Sequence, residues 1–172
     1  MFFKKYEKNP ILVKNEANDW ESLCVLNPAV IYDDDGKFKM LYRAAGNDET
    51  HYIHLGLAES EDGFHFERMS DSPVLSPTPD NYDSGCIEDP RLIKIGEWYY
   101  LTYASRAYAP GQYWKAGWKF LGDPPEGGPR FLCENSSLTS LAISRDLRHW
   151  KKLGRITDSR FDDRDVILFP EK

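Results

Sequence analysis

The chain repeats its own pattern of short strands and turns, and this repeat restricts the fold more than any other feature. Residues 55–66 return as residues 139–150, at a constant offset of 84. The matched pairs are Leu57/Leu141, Ala58/Ala142, Ser60/Ser144, Asp62/Asp146, His65/His149 and Phe66/Trp150. Residues 36–44 resemble residues 96–105 at an offset of 61, so the second copy carries an insertion of 23 residues.

Repeats of roughly 50 to 60 residues built from short strands are typical of propeller blades rather than of a closed barrel. The turns at 33–36 and 61–63 place Gly where a hairpin requires positive φ. An aromatic content of 14% also favours strands over helices. We therefore predict an all-β fold. Blade one covers about residues 20–75, blade two about 85–157 with an inserted loop at 106–135, and residues 164–172 begin a third.

Charge and cysteine usage exclude several classes of protein. A net charge of −6 argues against nucleic acid as the partner, because such binding depends on clustered Lys and Arg. Cys24, Cys86 and Cys133 have neither disulfide-framework nor zinc-site spacing. No apolar run of about 18 residues indicates a membrane span, and the N-terminus lacks the order of a secretory signal. We expect a cytoplasmic protein without a bound metal.

Polar residues stand at the start of the predicted innermost strand of each blade. These positions are Asn27 in the first blade, Glu88 and Asp89 in the second, and Arg164 in the third. Innermost strands line the central channel of a propeller, so these side chains should converge on one axial pocket. Arg43 lies within an apolar strand, where an arginine should be paired or face a polar cavity.

Each of these residues also has a purely structural interpretation. Asp before Pro commonly initiates a turn, so Glu88 and Asp89 could lie in a loop that caps its own backbone. Arg164 stands among Asp residues and could belong to a surface ion-pair cluster. His65 and His149 recur beside an aromatic residue at equivalent repeat positions, and we assign them a structural role.

Several motifs in order along the chain resemble glycoside hydrolase family 130, and within it the branch of β-1,4-mannosylglucose phosphorylases. They are NPA at 27–29, YRA at 42–44, SEDG at 60–63, GCIEDPR at 85–91, SRDLRHW at 144–150 and RDVILFPEK at 164–172. The resemblance implies a five-bladed propeller with a central active site, of which this chain supplies two blades and part of a third. It also implies inverting phosphorolysis of mannosylglucose to α-mannose 1-phosphate and glucose.

The same resemblance implies a role for each candidate residue. Asp89 matches the catalytic acid, which protonates the glycosidic oxygen through the 3-hydroxyl of the mannosyl unit. Arg164 matches a phosphate ligand, and inorganic phosphate is the co-substrate and nucleophile, with no other cofactor. Asn27 and Arg43 match residues that hold mannosyl hydroxyls, and Glu88 should lie beside the acid. We expect burial and a neighbouring carboxylate to raise the pKa of Asp89.

Chemistry explains why one acid suffices. An inverting hydrolase needs two carboxyl groups about 6.5–9.5 Å apart, one of them to activate water. Phosphate is already anionic, so a phosphorylase replaces the second carboxylate with cations, preferably Arg. The alternatives are a β-mannoside hydrolase of the same fold and a carbohydrate-binding half-propeller without catalysis.

Two further expectations concern the parts of the molecule outside the repeat. The insertion is rich in Trp, Tyr and Pro, which is typical of an aromatic lid over an acceptor sugar or of a loop packed against a neighbouring subunit. Two blades and a strand leave open sheet edges. We therefore expect either a homo-oligomer or a missing C-terminal half.

Overall fold

The regular secondary structure of the described residues is almost entirely β-strand, which confirms the all-β class. A computed structural model describes residues 2–110, 136–158, 160–161 and 163–170, so most of the predicted insertion and its aromatic lid lie outside the described residues. The elements are a 3-10 helix at Asp19–Glu21 and strands β1 Cys24–Tyr32, β2 Phe38–Ala45, β3 Ile53–Ser60, β4 Glu67–Arg68, β5 Cys86–Ile95, β6 Trp98–Arg106, β7 Leu138–Ser144 and β8 Lys151–Arg155. Within those ranges, no helix has the length and apolar character that crossing a membrane requires.

The strands form two antiparallel groups of four in sequence order. Strands β1 to β4 make the first group and β5 to β8 the second, each running from neighbour to neighbour. One parallel pair, Ile53 with Cys86, joins the groups. A second parallel bridge, Leu138 with Asp163, attaches the following segment to β7 in the same manner. Consecutive four-stranded sheets are the arrangement of a propeller-type fold.

The main core lies between the two sheets. Leu41 and Leu55 of the first sheet pack in one buried cluster with Ile87, Leu101 and Tyr103 of the second. A second cluster covers the other face of the first sheet, where Met40, Tyr42, Ala44 and Ala58 meet Ile11, Leu12, Trp20, Val25 and Phe66. Both faces of β2 are therefore buried, which explains why apolar and polar residues alternate only partly along it.

The repeated sequence builds the same turn after β3 and after β7. The carboxylate of Asp62 accepts hydrogen bonds from the amides of residues 64 and 65 and lies 2.6 Å from Nδ1 of His65. Asp146 does the same for residues 148 and 149, with Nδ1 of His149 at 2.7 Å. Each histidine thus closes a turn against its own aspartate, which supports their structural role.

Candidate active site

The first strand of each sheet bulges at the same point. Pairing between β1 and β2 shifts register between Leu26 and Ala29, and pairing between β5 and β6 shifts between Glu88 and Arg91. The residues inside the two bulges, Asn27 and Asp89, adopt left-handed backbone with φ of 44° and 49°. Asn and Asp tolerate this conformation better than most residues, and the Pro that follows each is compatible with a bulge. The bulges therefore break the strand alternation at the two predicted site positions.

Another residue with positive φ lies in the segment after β8. Asp165 has φ of 73°. Its neighbours are held to the second sheet, because the amide of Asp163 donates to the carbonyl of Ser137 at 3.0 Å. Thr102 Oγ1 donates to the carbonyl of Val166 at 2.6 Å. Since Thr102 pairs with Arg91 across the second sheet, residues 163–166 run beside the bulge that contains Asp89.

The structure brings Asn27, Arg43 and Asp89 together. Asn27 Nδ2 donates to Asp89 Oδ1 at 2.7 Å, and Arg43 Nη1 donates to the same oxygen at 2.9 Å. The arginine reaches from β2 and keeps only 20% of its side chain exposed. A cleft of about 340 Å³ opens over this cluster and is lined by Asn27, Pro28, Asp89, Pro90 and Arg91.

Glu88 lies beside Asp89, as expected, but it is buried under the cleft. Its side chain is 7% exposed, with Oε2 3.7 Å from Arg43 Nη1 and 4.0 Å from Arg106 Nε. Arg43 therefore lies between two carboxylates. Although burial opposes its charge, the charge of Glu88 and the hydrogen bond to Asp89 raise the pKa of Arg43.

The expected rise in the pKa of Asp89 is wrong for the chain without substrate. Burial does oppose ionisation of this carboxyl, but the hydrogen bonds from Asn27 and Arg43 and the charges of Arg43 and Arg91 outweigh it. The pKa of Asp89 is consequently lowered. The carboxyl is an ionised acceptor in this state, and it can act as an acid only once those contacts change.

Arg164 stands apart from the other four predicted residues. Its side chain is exposed. In the part of the chain that the structure describes, it makes no ion pair with them. Its backbone nevertheless runs beside the bulge at Asp89, through the contacts of Asp163 and Val166.

Sequence reasoning missed two arginines. Arg106 faces Glu88 from the end of β6, and an arginine closing an apolar strand is the same signal that identified Arg43. Arg91 lines the cleft, donates to the carbonyl oxygen of Asp89 and reaches Asp165 Oδ1 at 2.6 Å. Its position directly after Pro90 gave no comparable signal.

Among the described residues, two larger cavities lie elsewhere on the first sheet. One of about 460 Å³ is lined by Lys37, Glu59, Ser60, Glu61, Asp62, His65, Glu67 and Met69. The other, about 410 Å³ and mostly apolar, lies between residues 5–12 and strands β1 and β2. Among the described residues, no cluster of three or more His, Cys, Asp or Glu suits a metal ion. We take the cleft at Asp89 as the candidate site because Asn27 and Asp89, which line it, occupy equivalent positions in the two sheets.

Known proteins share both sequence and fold with this chain. The sequence profile of glycoside hydrolase family 130, described as beta-1,4-mannooligosaccharide phosphorylase, matches residues 3–117. A 1,2-beta-oligomannan phosphorylase from Thermoanaerobacter sp. (strain X514) is 32% identical over 98% of this chain and 49% of its own length. A beta-1,2-mannobiose phosphorylase from the same organism is 34% identical over 58% of this chain and 35% of its own length. The chain thus spans half or less of the length of these curated relatives.

Solved structures share the fold of this chain. A beta-1,2-mannobiose phosphorylase from Listeria innocua superposes with a TM-score of 0.65 at 19% identity, over 97% of this chain and 54% of that one. A glycosyl hydrolase from Bacteroides ovatus gives a TM-score of 0.67 at 23% identity, over 90% and 41% of the two chains. Since the family profile also covers more than half of the sequence, the chain belongs to glycoside hydrolase family 130.

Proposed function

We propose that this protein contributes the catalytic acid and part of the donor-sugar site to the inverting phosphorolysis of β-mannosides. The observation that supports this most strongly is the cluster at the cleft, where Asp89 meets Asn27 and Arg43. The names of both curated relatives describe phosphorylases of β-1,2-linked mannosides. The products of the proposed reaction are α-mannose 1-phosphate and a free sugar.

The arrangement of carboxylates favours phosphorolysis over hydrolysis. A hydrolase needs a second carboxylate to activate water. The carboxylate next to Asp89 is Glu88, which is buried and faces Arg43 and Arg106 rather than the cleft. Glu88 is thus poorly placed to activate water, whereas phosphate needs no such activation. The alternatives are a hydrolase and a binding module without turnover, and an assay of phosphate-dependent cleavage distinguishes both from a phosphorylase.

In the proposed mechanism, substrate binding converts Asp89 from an acceptor into an acid. Both hydrogen bonds fall on Oδ1, and within the described ranges Oδ2 accepts none. When Asn27 and Arg43 turn to the mannosyl hydroxyls, the carboxylate loses the contacts that lower its pKa, and a proton on it becomes favourable. That proton passes through the 3-hydroxyl to the glycosidic oxygen as the bond to the anomeric carbon breaks. A phosphate oxygen forms the new bond on the opposite face and inverts the configuration.

We propose a β-mannosyl unit as the donor and inorganic phosphate as the co-substrate. The resemblance to β-1,4-mannosylglucose phosphorylases implies glucose as the acceptor, whereas the relatives are named for β-1,2 linkages, so both disaccharides belong in the assay. A cytoplasmic location remains part of the proposal.

The test is phosphate-dependent cleavage by the wild type and by Asp89→Asn. General acid catalysis contributes about 10²–10⁴ in rate, so we expect the variant to lose at least about 100-fold in kcat/KM. Asp80→Asn is the matched control, because Asp80 also has positive φ but lies in a loop outside the cleft. Full activity of Asp89→Asn would refute the catalytic assignment. Cleavage without phosphate would identify a hydrolase, and sugar binding without cleavage would identify a binding module.

A further inference from the structure

Arg91 connects two residues that adopt left-handed backbone, Asp89 and Asp165. Its Nη1 donates to the carbonyl oxygen of Asp89 and lies 3.4 Å from that of Pro90. Its Nη2 donates to Asp165 Oδ1 at 2.6 Å. The two ends of one planar guanidinium therefore bind the backbone of the bulge at Asp89 and the carboxylate of Asp165 in the segment after β8. The single ammonium of lysine cannot reproduce this bridge.

The bridge continues a series of contacts that runs from Asn27 through Asp89 to Asp165. Asn27 donates to the side chain of Asp89, and Arg91 links the backbone of Asp89 to Asp165. Left-handed backbone at a residue other than Gly is unfavourable and persists only where its surroundings hold it. Arg91 provides such a restraint at Asp89, because it binds the carbonyl that the bulge turns out of the ladder.

The electrostatics explain why Asp165 can stand next to a proposed phosphate ligand. An unpaired carboxylate directly after Arg164 would repel phosphate. The pairing of Asp165 with Arg91 offsets that charge and ties the backbone at 164–166 to β5. Asp165 is 51% exposed on its side chain, so the contact acts mainly through geometry rather than as a strong contribution to stability.

We propose that Arg91 is a positioning residue, whose bridge from the Asp89 backbone to Asp165 sets the place of Arg164, the predicted phosphate ligand, relative to the acid. This inference rests on the proposed function. It assigns Arg91 and Asp165 to the orientation of the phosphate site rather than to contact with the sugar.

The test measures phosphate affinity by calorimetry in the intact protein, with KM values for phosphate and for the mannoside alongside. We expect Asp165→Ala to weaken phosphate binding about tenfold and leave the mannoside KM unchanged. Removal of a negative charge alone would instead strengthen phosphate binding, so the direction of the change separates positioning from simple electrostatics. Asp165→Asn keeps an oxygen acceptor for Arg91 and should remain within about threefold of the wild type.

Arg91→Met completes a double-mutant cycle. It should weaken phosphate binding, and adding Asp165→Ala to it should have no further effect, because the bridge is already broken. Phosphate affinity that is unchanged or tighter in Asp165→Ala, or additive effects of the two changes, would overturn the proposal. If the wild type binds phosphate but cleaves no mannoside, the proposed function is refuted. The phosphate affinities of the Asp165 and Arg91 variants still decide whether the bridge positions the phosphate site. A wild type that binds no phosphate would overturn the inference itself.

Discussion

The charge state of Asp89 depends on a few neighbouring groups. Asn27 and Arg43 both donate to Oδ1, and these contacts lower the pKa of the carboxyl against the opposing effect of burial. Because the folded-state pKa is depressed, this group stabilises the fold above its unfolded-state pKa. The contribution is lost as the pH falls through the folded-state value.

Removal of one donor should raise the pKa of Asp89. We expect Asn27→Ala to move the carboxyl titration upward, because one hydrogen bond to the ionised form is lost while burial is retained. The measurement is a carbon NMR titration of the Asp89 carboxyl. Asn47→Ala, at an exposed asparagine outside the cleft, serves as the control and should leave the titration unchanged. An identical midpoint in Asn27→Ala and the wild type would show that Asn27 does not stabilise the ionised form.

The sequence predicted which residues lie together at the candidate site but not the charge state of Asp89. Asn27, Arg43, Glu88 and Asp89 are neighbours in the structure, and polar residues at equivalent strand starts and an arginine in an apolar strand are visible in the sequence. The sign of the pKa shift of Asp89 depends on whether enough donors and cations reach the carboxylate to outweigh its burial. That geometry comes from the two bulges, and a dipeptide such as Asp-Pro indicates a turn as readily as a bulge.

At the level of elements, a buried aspartate links the hairpins of the two sheets. Asp33, in the turn after β1, accepts hydrogen bonds from Lys94 Nζ at 2.7 Å and from the hydroxyl of Tyr99. Its side chain is 6% exposed. Burial opposes ionisation, but the bonds from Lys94, Tyr99 and the amide of Asp34 lower the pKa of Asp33. The same contacts help to hold the first sheet against the second. Because Asn27 lies on the first sheet and Asp89 on the second, they also help to set the distance between these two residues.

Loss of this carboxylate should destabilise the protein in a pH-dependent way. We expect Asp33→Ala to reduce the free energy of unfolding by about 2–3 kcal/mol at neutral pH, because Lys94 and Tyr99 lose a buried partner. The difference from the wild type should shrink as the pH falls through the folded-state pKa, where the wild-type carboxylate becomes protonated.

Urea unfolding at several pH values measures the effect, and Asp34→Ala is the matched control. Asp34 also contacts Lys94, at 2.9 Å, but its side chain is 88% exposed. We expect that variant to stay within about 0.5 kcal/mol of the wild type. Equal losses in the two variants would show that burial of Asp33 is not what matters.

The sequence repeat predicted the strands better than the long-range contacts that join them. Strand periodicity and turn glycines were enough to predict sheets of short strands, because both depend on local sequence. The tie between Asp33 and Lys94 joins residues 61 positions apart, and no local pattern indicates it. The insertion at 106–135 interrupts the second copy, and its predicted role as a lid is untested since most of it lies outside the described residues.

At the scale of the whole molecule, apolar side chains remain exposed on the first sheet and in the segment after β8. Val30 and Tyr32 on β1 are 46% and 67% exposed, on the face opposite Ile31, which packs toward the main core. Ile167 and Phe169 are 59% and 78% exposed. Exposed apolar surfaces of this kind favour association.

We therefore expect the isolated 172-residue chain to self-associate through these faces. The average mass in sedimentation velocity should rise above 19.9 kDa with concentration. Charges placed on the exposed face of β1 by the double change Val30→Lys and Tyr32→Lys should reduce that rise, because association would then bury two unpaired ammonium groups. Phe64→Lys is the control, since Phe64 is 47% exposed but lies in the turn after β3. A wild type that stays at the monomer mass at high concentration would show that these faces need no cover, and an equal effect of the control would show that the association is not specific to β1.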